Sequence, residues 1–317
     1  MNMIEPRVLI LGSRFDFTCD YVVSALRRLR VQYLRLNSED FCRYRISLDP
    51  VLRELRIGLQ EVNYFISSKT LSSVLFRRPV FLRDYGDDRR SVNEIFSEIQ
   101  WAAFVQNLLI FDEARWYNSP ASTYRSELKA VQLLEAARLG FSVPQTEITN
   151  YPANRPILAS GKKLAVKGLD TVMVRDREYE LFGFTTFADA EEIAAMEWAS
   201  APAVIQQAIR PKVDLRVTVI EDQVYAVKVL DGDQGFIDDW RLNKTLARFM
   251  PFDLPAVVRR RCTQLVASLG LRFGAIDLAL SGSDYFFLEI NPTGEWAWLV
   301  DATGLKIDEG LANALAS

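Results

Sequence analysis

The 317-residue sequence contains no histidine. That absence removes Ser-His-Asp and Cys-His nucleophile systems, histidine metal sites and imidazole acid–base catalysis. Any chemistry is then left to carboxylates, lysine, arginine and amides. Cysteine is scarce too. Cys19, Cys42 and Cys262 are odd in number, far apart and without CxxC spacing, which argues against a disulfide framework or zinc site and for a reducing, cytoplasmic setting. Long apolar runs are missing. Residues 8–11 form the only one near the start, and it ends before Arg14 and Asp16. It is too short for a signal peptide or a membrane span, so no membrane partner is expected. Gly12 stands without a GxGxxG frame, which disfavours a dinucleotide site. Neither charge dominates: 38 basic and 41 acidic residues give a net charge of -3, and no nucleic-acid partner is expected.

Apolar residues make up 49% of the chain and charged residues 25%, the balance of a globular protein, and the length calls for more than one core. Residues 7–11 predict a strand, followed by a helix capped by Asp20 with Val22, Ala25, Leu26 and Leu29 on its apolar face. A second strand is expected over 32–36 and small strands over 52–57, 62–67 and 74–77. Ser91-Val-Asn-Glu94 is a capping box that opens a long helix through Ile95, Phe96, Ile99, Ala103 and Leu108. Another helix is predicted over 122–139, with Lys129 in its middle and Gly140 as its stop. The pattern then turns to strands at 163–167, 203–207, 215–220 and 224–229. A helix over 255–269 precedes a strand pair at 273–280 and 285–290, and a short helix starts at Ile307. The order is an α/β unit, helices, then a mixed sheet with helices outside, hence the α/β (α+β) class.

The most informative stretch is the last strand pair. A four- or five-residue loop over 281–285 makes Asp277 and Glu289 cross-strand neighbours, with Asn291 two residues on and on the same face. Carboxylates about 5 Å apart at an effective dielectric of about 20 repel by roughly 3 kcal/mol, so they need a cation. Two carboxylates and an amide oxygen suit Mg²⁺ bridging substrate phosphates. The alternative is that Asp277 caps a bend and Glu289 pairs with an arginine. Only nine of the 38 basic residues are lysines, which narrows the choice of phosphate cations. Lys167 ends an apolar strand just before Gly168; it is either a phosphate contact or a guard on a sheet edge. Lys129 is either a second phosphate contact or a solvated lysine paired with Glu127 or Glu135. Asp214 and Arg216 are in phase on one strand, either as an intra-strand ion pair or with Arg216 neutralising a transferring phosphoryl group. Asp239-Trp240-Arg241 repeats the acid-then-arginine theme.

In this order, Lys129, Lys167, the segment 204–209, Asp214-Leu-Arg216, Asp277 and Glu289-Ile-Asn291 resemble an ATP-grasp ligase, and more closely the microviridin-type (graspetide) peptide macrocyclases. The likeness also covers Phe76-Arg-Arg-Pro79, Tyr117-Asn-Ser-Pro120, Lys129-x-x-Gln132, Asp239-Trp-Arg241 and Gly294-Glu-Trp296. It implies an ATP-grasp fold with a pre-ATP-grasp domain over 1–121, a central subdomain with the lid over 122–202, and a C-terminal subdomain over 203–317. It implies ATP and Mg²⁺ as cofactors, Lys129 and Lys167 on phosphates, a hinge of Gln206, Gln207, Ala208 and Ile209 with Asp214 beside the nucleotide, and Asp277, Glu289 and Asn291 on metal. Arg216 and Arg241 would stabilise an acyl phosphate formed on a side-chain carboxylate of a ribosomally made precursor peptide, leader plus core. A hydroxyl or amine of the same peptide would then close an ester or amide ring. A homodimer is implied as well. The lid between Lys167 and Phe187 is glycine-poor, with only Gly168 and Gly183, and carries Arg175, Asp176 and Arg177. The acidic loop 231–239 reads as an exposed turn or as a leader contact. The rival activities are a carboxylate–amine ligase acting on a free amino acid or small amine, a nucleotide-binding regulator without turnover, and a small-molecule kinase.

Overall fold

The computed structural model describes residues 3–78, 91–152, 155–170, 173–176, 179–182, 185–196, 201–237, 239–243 and 245–317. In the first part the strands are β1 (Met3–Ile4), β2 (Val8–Gly12), β3 (Tyr33–Asn37), β4 (Arg45–Asp49), β5 (Glu54–Leu59), β6 (Val62–Ser67), β7 (Ser73–Phe76) and β8 (Arg115–Tyr117). They form two sheets, β3-β2-β7-β8, whose neighbours are all parallel, and β1-β6-β5-β4. β2 is buried at every position, as a central parallel strand should be.

Helix α1 (Phe17–Arg28) crosses from β2 to β3. Its N-cap is Asp16, which accepts the Thr18 amide at 2.9 Å. Asp20, the cap expected from sequence, lies inside the first turn. The helix starts early because Thr18 and Cys19 are buried against the sheet. Helix α2 (Val92–Asn107) begins at the predicted Ser91–Glu94 capping box.

The single helix expected over 122–139 is two, α3 (Pro120–Ser126) and α4 (Lys129–Arg138), with Leu128 in an extended conformation between them. Lys129 is therefore the first residue of a helix and not in the middle of one. The Gln132 side chain caps the break by donating to the Ser126 carbonyl at 2.6 Å. Gly140 follows α4 with φ +82°, the left-handed stop predicted for it. Next come β9 (Thr146–Thr149), β10 (Leu164–Lys167), β11 (Met173–Asp176), β12 (Tyr179–Phe182), β13 (Thr186–Ala188), α5 (Ala190–Ala195) and β14 (Ala203–Gln207). Four of the strands make the antiparallel sheet β13-β10-β14-β9, and β11 pairs with β12. β10 has a neighbour on both sides, so Lys167 guards no edge.

The last part is a five-stranded antiparallel sheet, β17-β16-β15-β18-β19, made of β15 (Val213–Ile220), β16 (Gln223–Asp231), β17 (Ala247–Pro251), β18 (Phe273–Ser281) and β19 (Asp284–Asn291). Ile276, Leu278, Phe287 and Ile290 pack with Cys262, Leu265 and Val266 of α6 (Ala256–Ser268) and with Ala136 of α4. Helices α7 (Ala297–Thr303) and α8 (Ile307–Ala316) close the chain. Leu311 and Leu315 share one core with Val8, Ile10 and Leu26, so the two ends of the sequence pack together.

The β18–β19 turn is shorter than predicted. Ser281 pairs with Asp284, leaving Gly282 and Ser283 as a two-residue turn, with Gly282 at φ +60°. A strict register from that turn would set Asp277 opposite Leu288 and send Glu289 to the apolar face. A β-bulge between Asp277 and Leu278 prevents this. Leu278 pairs with Phe287 while Asp277 pairs with Glu289, so one extra residue returns Glu289 to the polar face.

Candidate active site

Asp277 and Glu289 thus stand side by side on a strand pair whose other face is core. On the same face, Asn291 pairs with Ala275. The chain itself supplies the cations that these carboxylates require. Arg216 Nη1 donates to Asp277 Oδ1 at 2.8 Å, and Arg241 Nη2 donates to Asp277 Oδ2 at 2.9 Å. Lys129 Nζ donates to Glu289 Oε2 at 3.2 Å, and Arg241 Nη2 lies 3.8 Å from Glu289 Oε1. Burial alone would raise the Glu289 carboxyl, yet Lys129, Lys167 and Arg241 hold it well below the usual carboxylate range. Burial would likewise weaken the proton on Arg241, and Asp277, Asp239 and Glu289 reverse that.

Each side chain arrives from a different element, and the intervening contacts fix its aim. Arg216 sits opposite Asp277 in the β15–β18 ladder. Its Nη2 also donates to the Glu295 carbonyl at 3.3 Å. Residue 294 must be glycine for this arrangement, because a Cβ there would lie 2.4 Å from Ala275 Cβ and 2.8 Å from Arg216 Nη2. Arg241 follows Asp239, which accepts from both its backbone amide and its guanidinium. The intra-strand Asp214–Arg216 pair does not form. Asp214 is bound by Lys212 and Arg216 by Asp277. Burial raises the Asp214 carboxyl, against the pull of Lys212.

Lys167 differs from the other cations. Its ammonium donates to the neutral Gln206 Oε1 at 3.0 Å, and burial lowers its proton affinity, opposed by Glu289. Gln206 is fixed in turn by donating to Thr146 Oγ1 at 2.8 Å. At the predicted hinge, the Gln207 and Ala208 amides donate to the Gln145 and Lys163 carbonyls at 2.8 and 3.0 Å. Ile209 is buried. The alternatives offered for Lys129 are absent, since Glu127 pairs with Arg78 and Glu135 with Arg138.

Lys167, Asp214, Arg216, Arg241, Asp277 and Glu289 line one cavity of about 80 Å³. A second, of about 520 Å³, opens at Arg210, Pro211, Lys212, Phe236 and Leu280, where the hinge enters β15. Residues 231–234 make an exposed turn closed by reciprocal Asp231–Gln234 backbone bonds, while Phe236 just beyond it is buried. Gln207 and Ala208 line neither cavity. The lid strands β11 and β12 are described by their backbone alone, and Arg177, Gly183 and Pro79 lie outside the described residues.

Among the described residues no group of three or more His, Cys, Asp or Glu side chains is arranged to hold a metal. A two-carboxylate, one-amide set fits Mg²⁺ only where phosphate and water oxygens complete the shell. That is the chemistry of this donor set, and the excess of nearby cations suits the same phosphates.

Two positioning residues were invisible as such in the sequence. Gln132 donates to the Ile290 carbonyl at 2.9 Å and accepts the Ile290 amide at 3.1 Å, clamping the residue between Glu289 and Asn291. Its signal was a polar side chain in phase with the core-facing Ala136. Asn118 donates to the Phe273 and Pro292 carbonyls, both at 2.9 Å, and accepts the Arg272 and Phe273 amides. It ties the end of β8 to the strand pair that carries the carboxylates.

No protein-family model matches the sequence, and a search of curated proteins returned no match. Solved structures match along the whole chain. Macrocyclase MdnC from Microcystis aeruginosa MRC, bound with precursor peptide MdnA, gives a TM-score of 0.81 at 22% identity, covering 98% of this chain and 99% of that one. A RiPP-associated ATP-grasp ligase from Chryseobacterium gregarium, in complex with ADP and a leader and core peptide, gives 0.81 at 23% identity over 99% and 96%. Macrocyclase MdnB from Microcystis aeruginosa MRC gives 0.72 at 25% identity over 98% and 99%. The chain therefore has the ATP-grasp ligase fold, in the form shared with these peptide macrocyclases.

Proposed function

We propose that the chain is an ATP-dependent carboxylate ligase that closes Asp or Glu side chains of a ribosomally made precursor peptide onto Ser, Thr or Lys side chains as macrocyclic esters or amides. One observation carries the reading. Lys167, Arg216, Arg241, Asp277 and Glu289, drawn from four strands and a loop, line one cavity in a fold shared end to end with peptide-bound ligases. A three-part division at 121/122 and 202/203 is part of the proposal, although the first cut falls inside α3 and the second separates β14 from its partners in the β13-β10-β14-β9 sheet. The nucleotide lies between the β13-β10-β14-β9 sheet and the β18–β19 hairpin.

Asp277, Glu289 and Asn291 would hold Mg²⁺, which neutralises phosphate oxygens when bound. Lys167, whose hydrogen bond among the described residues goes to the neutral Gln206, would take an oxygen of the β- or γ-phosphate, and Lys129 would take a second one with Glu289 serving as a metal ligand. Because the Gln207 and Ala208 amides are occupied, hinge contacts to an adenine edge fall to carbonyl groups and Ile209. Arg241 bridges Asp277 and Glu289 across the cavity mouth, so its guanidinium stands beside both carboxylates that would take metal. The peptide carboxylate attacks the γ-phosphorus and ADP leaves; the hydroxyl or amine then attacks the acyl carbon, the acyl C–O bond to phosphate breaks, and the nucleophile's proton departs with the phosphate. Arg216 and Arg241 present fork-shaped donors to the charge that builds on both groups. No step needs histidine.

A homodimer in the cytoplasm completes the proposal. None of the three cysteines is in a disulfide, and burial pushes Cys19 and Cys262 up to about 12, leaving both as inert thiols. No described helix is long and apolar enough to cross a membrane. Mass spectrometry of the peptide encoded beside the gene, after incubation with Mg-ATP, tests the reading. Loss of one water per bond formed supports it. A gain equal to an added amino acid moves the assignment to a carboxylate–amine ligase.

A further inference from the structure

The Phe76-Arg-Arg segment has no part in the chemistry proposed above, yet only 4% of the Arg77 side chain is exposed. A guanidinium held that far from water needs partners along its whole length. Arg77 directly follows β7, and its amide extends the parallel ladder by donating to the Leu11 carbonyl at 2.8 Å. Its Nε donates to Asp16 Oδ2 at 2.7 Å. Asp16 is itself fixed as the N-cap of α1, so one end of the fork is tied down within the first part of the chain. The other end leaves it: Arg77 Nη1 donates to the Gly294 carbonyl at 3.4 Å. Gly294 belongs to the turn that follows Asn291. Its amide donates to the Asn291 carbonyl at 3.2 Å, and the next carbonyl, that of Glu295, accepts Arg216 Nη2 at 3.3 Å. Two arginines, one after β7 and one on β15, therefore hold consecutive carbonyls of a single turn.

We propose that Arg77 is a positioning residue for the ligase reaction: it sets the Gly294–Glu295 turn and, through that turn, the aim of the Arg216 guanidinium at Asp277 and at the acyl phosphate. The turn and Arg216 touch closely, since a Cβ on residue 294 would lie 2.8 Å from Arg216 Nη2. A shift of the turn therefore moves the guanidinium plane with it. Asn118 holds the Pro292 carbonyl and the fully buried Trp296 anchors the far end, so Arg77 acts on the middle of the turn, where Arg216 is bound. Matching the Asp16 charge would take only an ammonium. Reaching Asp16 and Gly294 together takes a planar fork. Arg77 does not line the cavity, so its influence passes through Arg216 and not through substrate. This role rests on the ligase reading, but the mechanical link between Arg77 and Arg216 does not.

Arg77→Lys is the informative variant, because it keeps a cation beside Asp16. Its urea midpoint is expected close to wild type, while kcat for the peptide encoded beside the gene falls about 10-fold and KM for ATP changes by less than about twofold. On an Arg216→Lys background the same substitution is expected to lower kcat by less than about twofold, since the fork it positions is already gone. A fully active Arg77→Lys overturns the proposal. So does an equal loss on both backgrounds, which would mean that Arg77 does not act through Arg216. Failure of the ligase reading shows itself differently, as a wild-type chain that removes no water from the peptide. The link is then decided by urea unfolding of Arg77→Met, Arg216→Lys and the double variant. The double variant's loss in folding constant should fall about fivefold or more short of the product of the two single losses. Strict additivity overturns the link.

Discussion

The two strand pairs that face each other across the candidate site handle charge in opposite ways. On the β18–β19 side, Asp277 and Glu289 are saturated by Arg216, Arg241 and Lys129. On the β10–β14 side, Lys167 is nearly as enclosed but meets a neutral amide, and burial lowers its proton affinity. The difference teaches that the site's own ion pairs balance the carboxylates while leaving a place for added negative charge at Lys167. A phosphate chain with its magnesium would satisfy both sides at once. The expected carboxylate repulsion is therefore real as a requirement for cations, but in the free protein arginine and lysine meet it.

Substitutions can break this contrast, and the largest effect is expected at Glu289. Glu289→Gln should abolish Mg-ATP-dependent product. It should also destabilise the free protein by about 2 kcal/mol, because Lys129 and Arg241 lose their anion while Glu289 still has a quarter of its surface open. Urea unfolding checks the second part; a more stable variant would mean that carboxylate repulsion outweighs the pairing. Arg216→Lys comes next. A point ammonium cannot hold Asp277 and the Glu295 carbonyl together, and a drop of about 100-fold in kcat at unchanged fold is expected. Full activity would return Arg216 to a purely structural role.

Gln132→Leu probes the clamp behind the carboxylates. It strands the amide and carbonyl of Ile290 and the Ser126 carbonyl, at a cost of about 1–3 kcal/mol. Activity should fall through misplacement of Glu289, read as a kcat loss larger than any change in KM for ATP. The gentlest probe is acid. Glu289 holds its proton less tightly folded than unfolded, where carboxyls of its type titrate near 4.3. The unfolded chain binds the extra proton below that pH, so this contribution to stability is present above about pH 4.3 and is lost as pH falls through the folded value. Urea midpoints measured across that range should fall less steeply in Glu289→Gln than in the wild type.

Much of this was legible in the sequence, for definable reasons. Glu289 and Asn291 share a face by strand alternation alone, and Asp277 was expected beside them through a loop that proved too long. The two-residue turn would have misplaced Glu289; the bulge at Asp277/Leu278 compensates. No propensity signals a bulge where its purpose is to re-aim one side chain. The break between α3 and α4 was hidden because residues 126–129 contain no Gly or Pro. A distant hydrogen-bond partner, Gln132, stabilises it. Asp16 displaced Asp20 as cap because tertiary burial of Thr18 and Cys19 pulls the helix start backwards. Pairing was least legible of all. Asp214 was in phase with Arg216, but phase does not reveal that Asp214 takes Lys212, two residues before it, while Arg216 takes Asp277 across the ladder.

The contrast between the two sides is tested most directly by thermal unfolding with Mg²⁺ alone, ATP alone, and both. The melting temperature should rise clearly only with both, a rise lost in Glu289→Gln and reduced in Lys167→Gln. A melting temperature unmoved by Mg-ATP, or raised equally in Glu289→Gln, would contradict it.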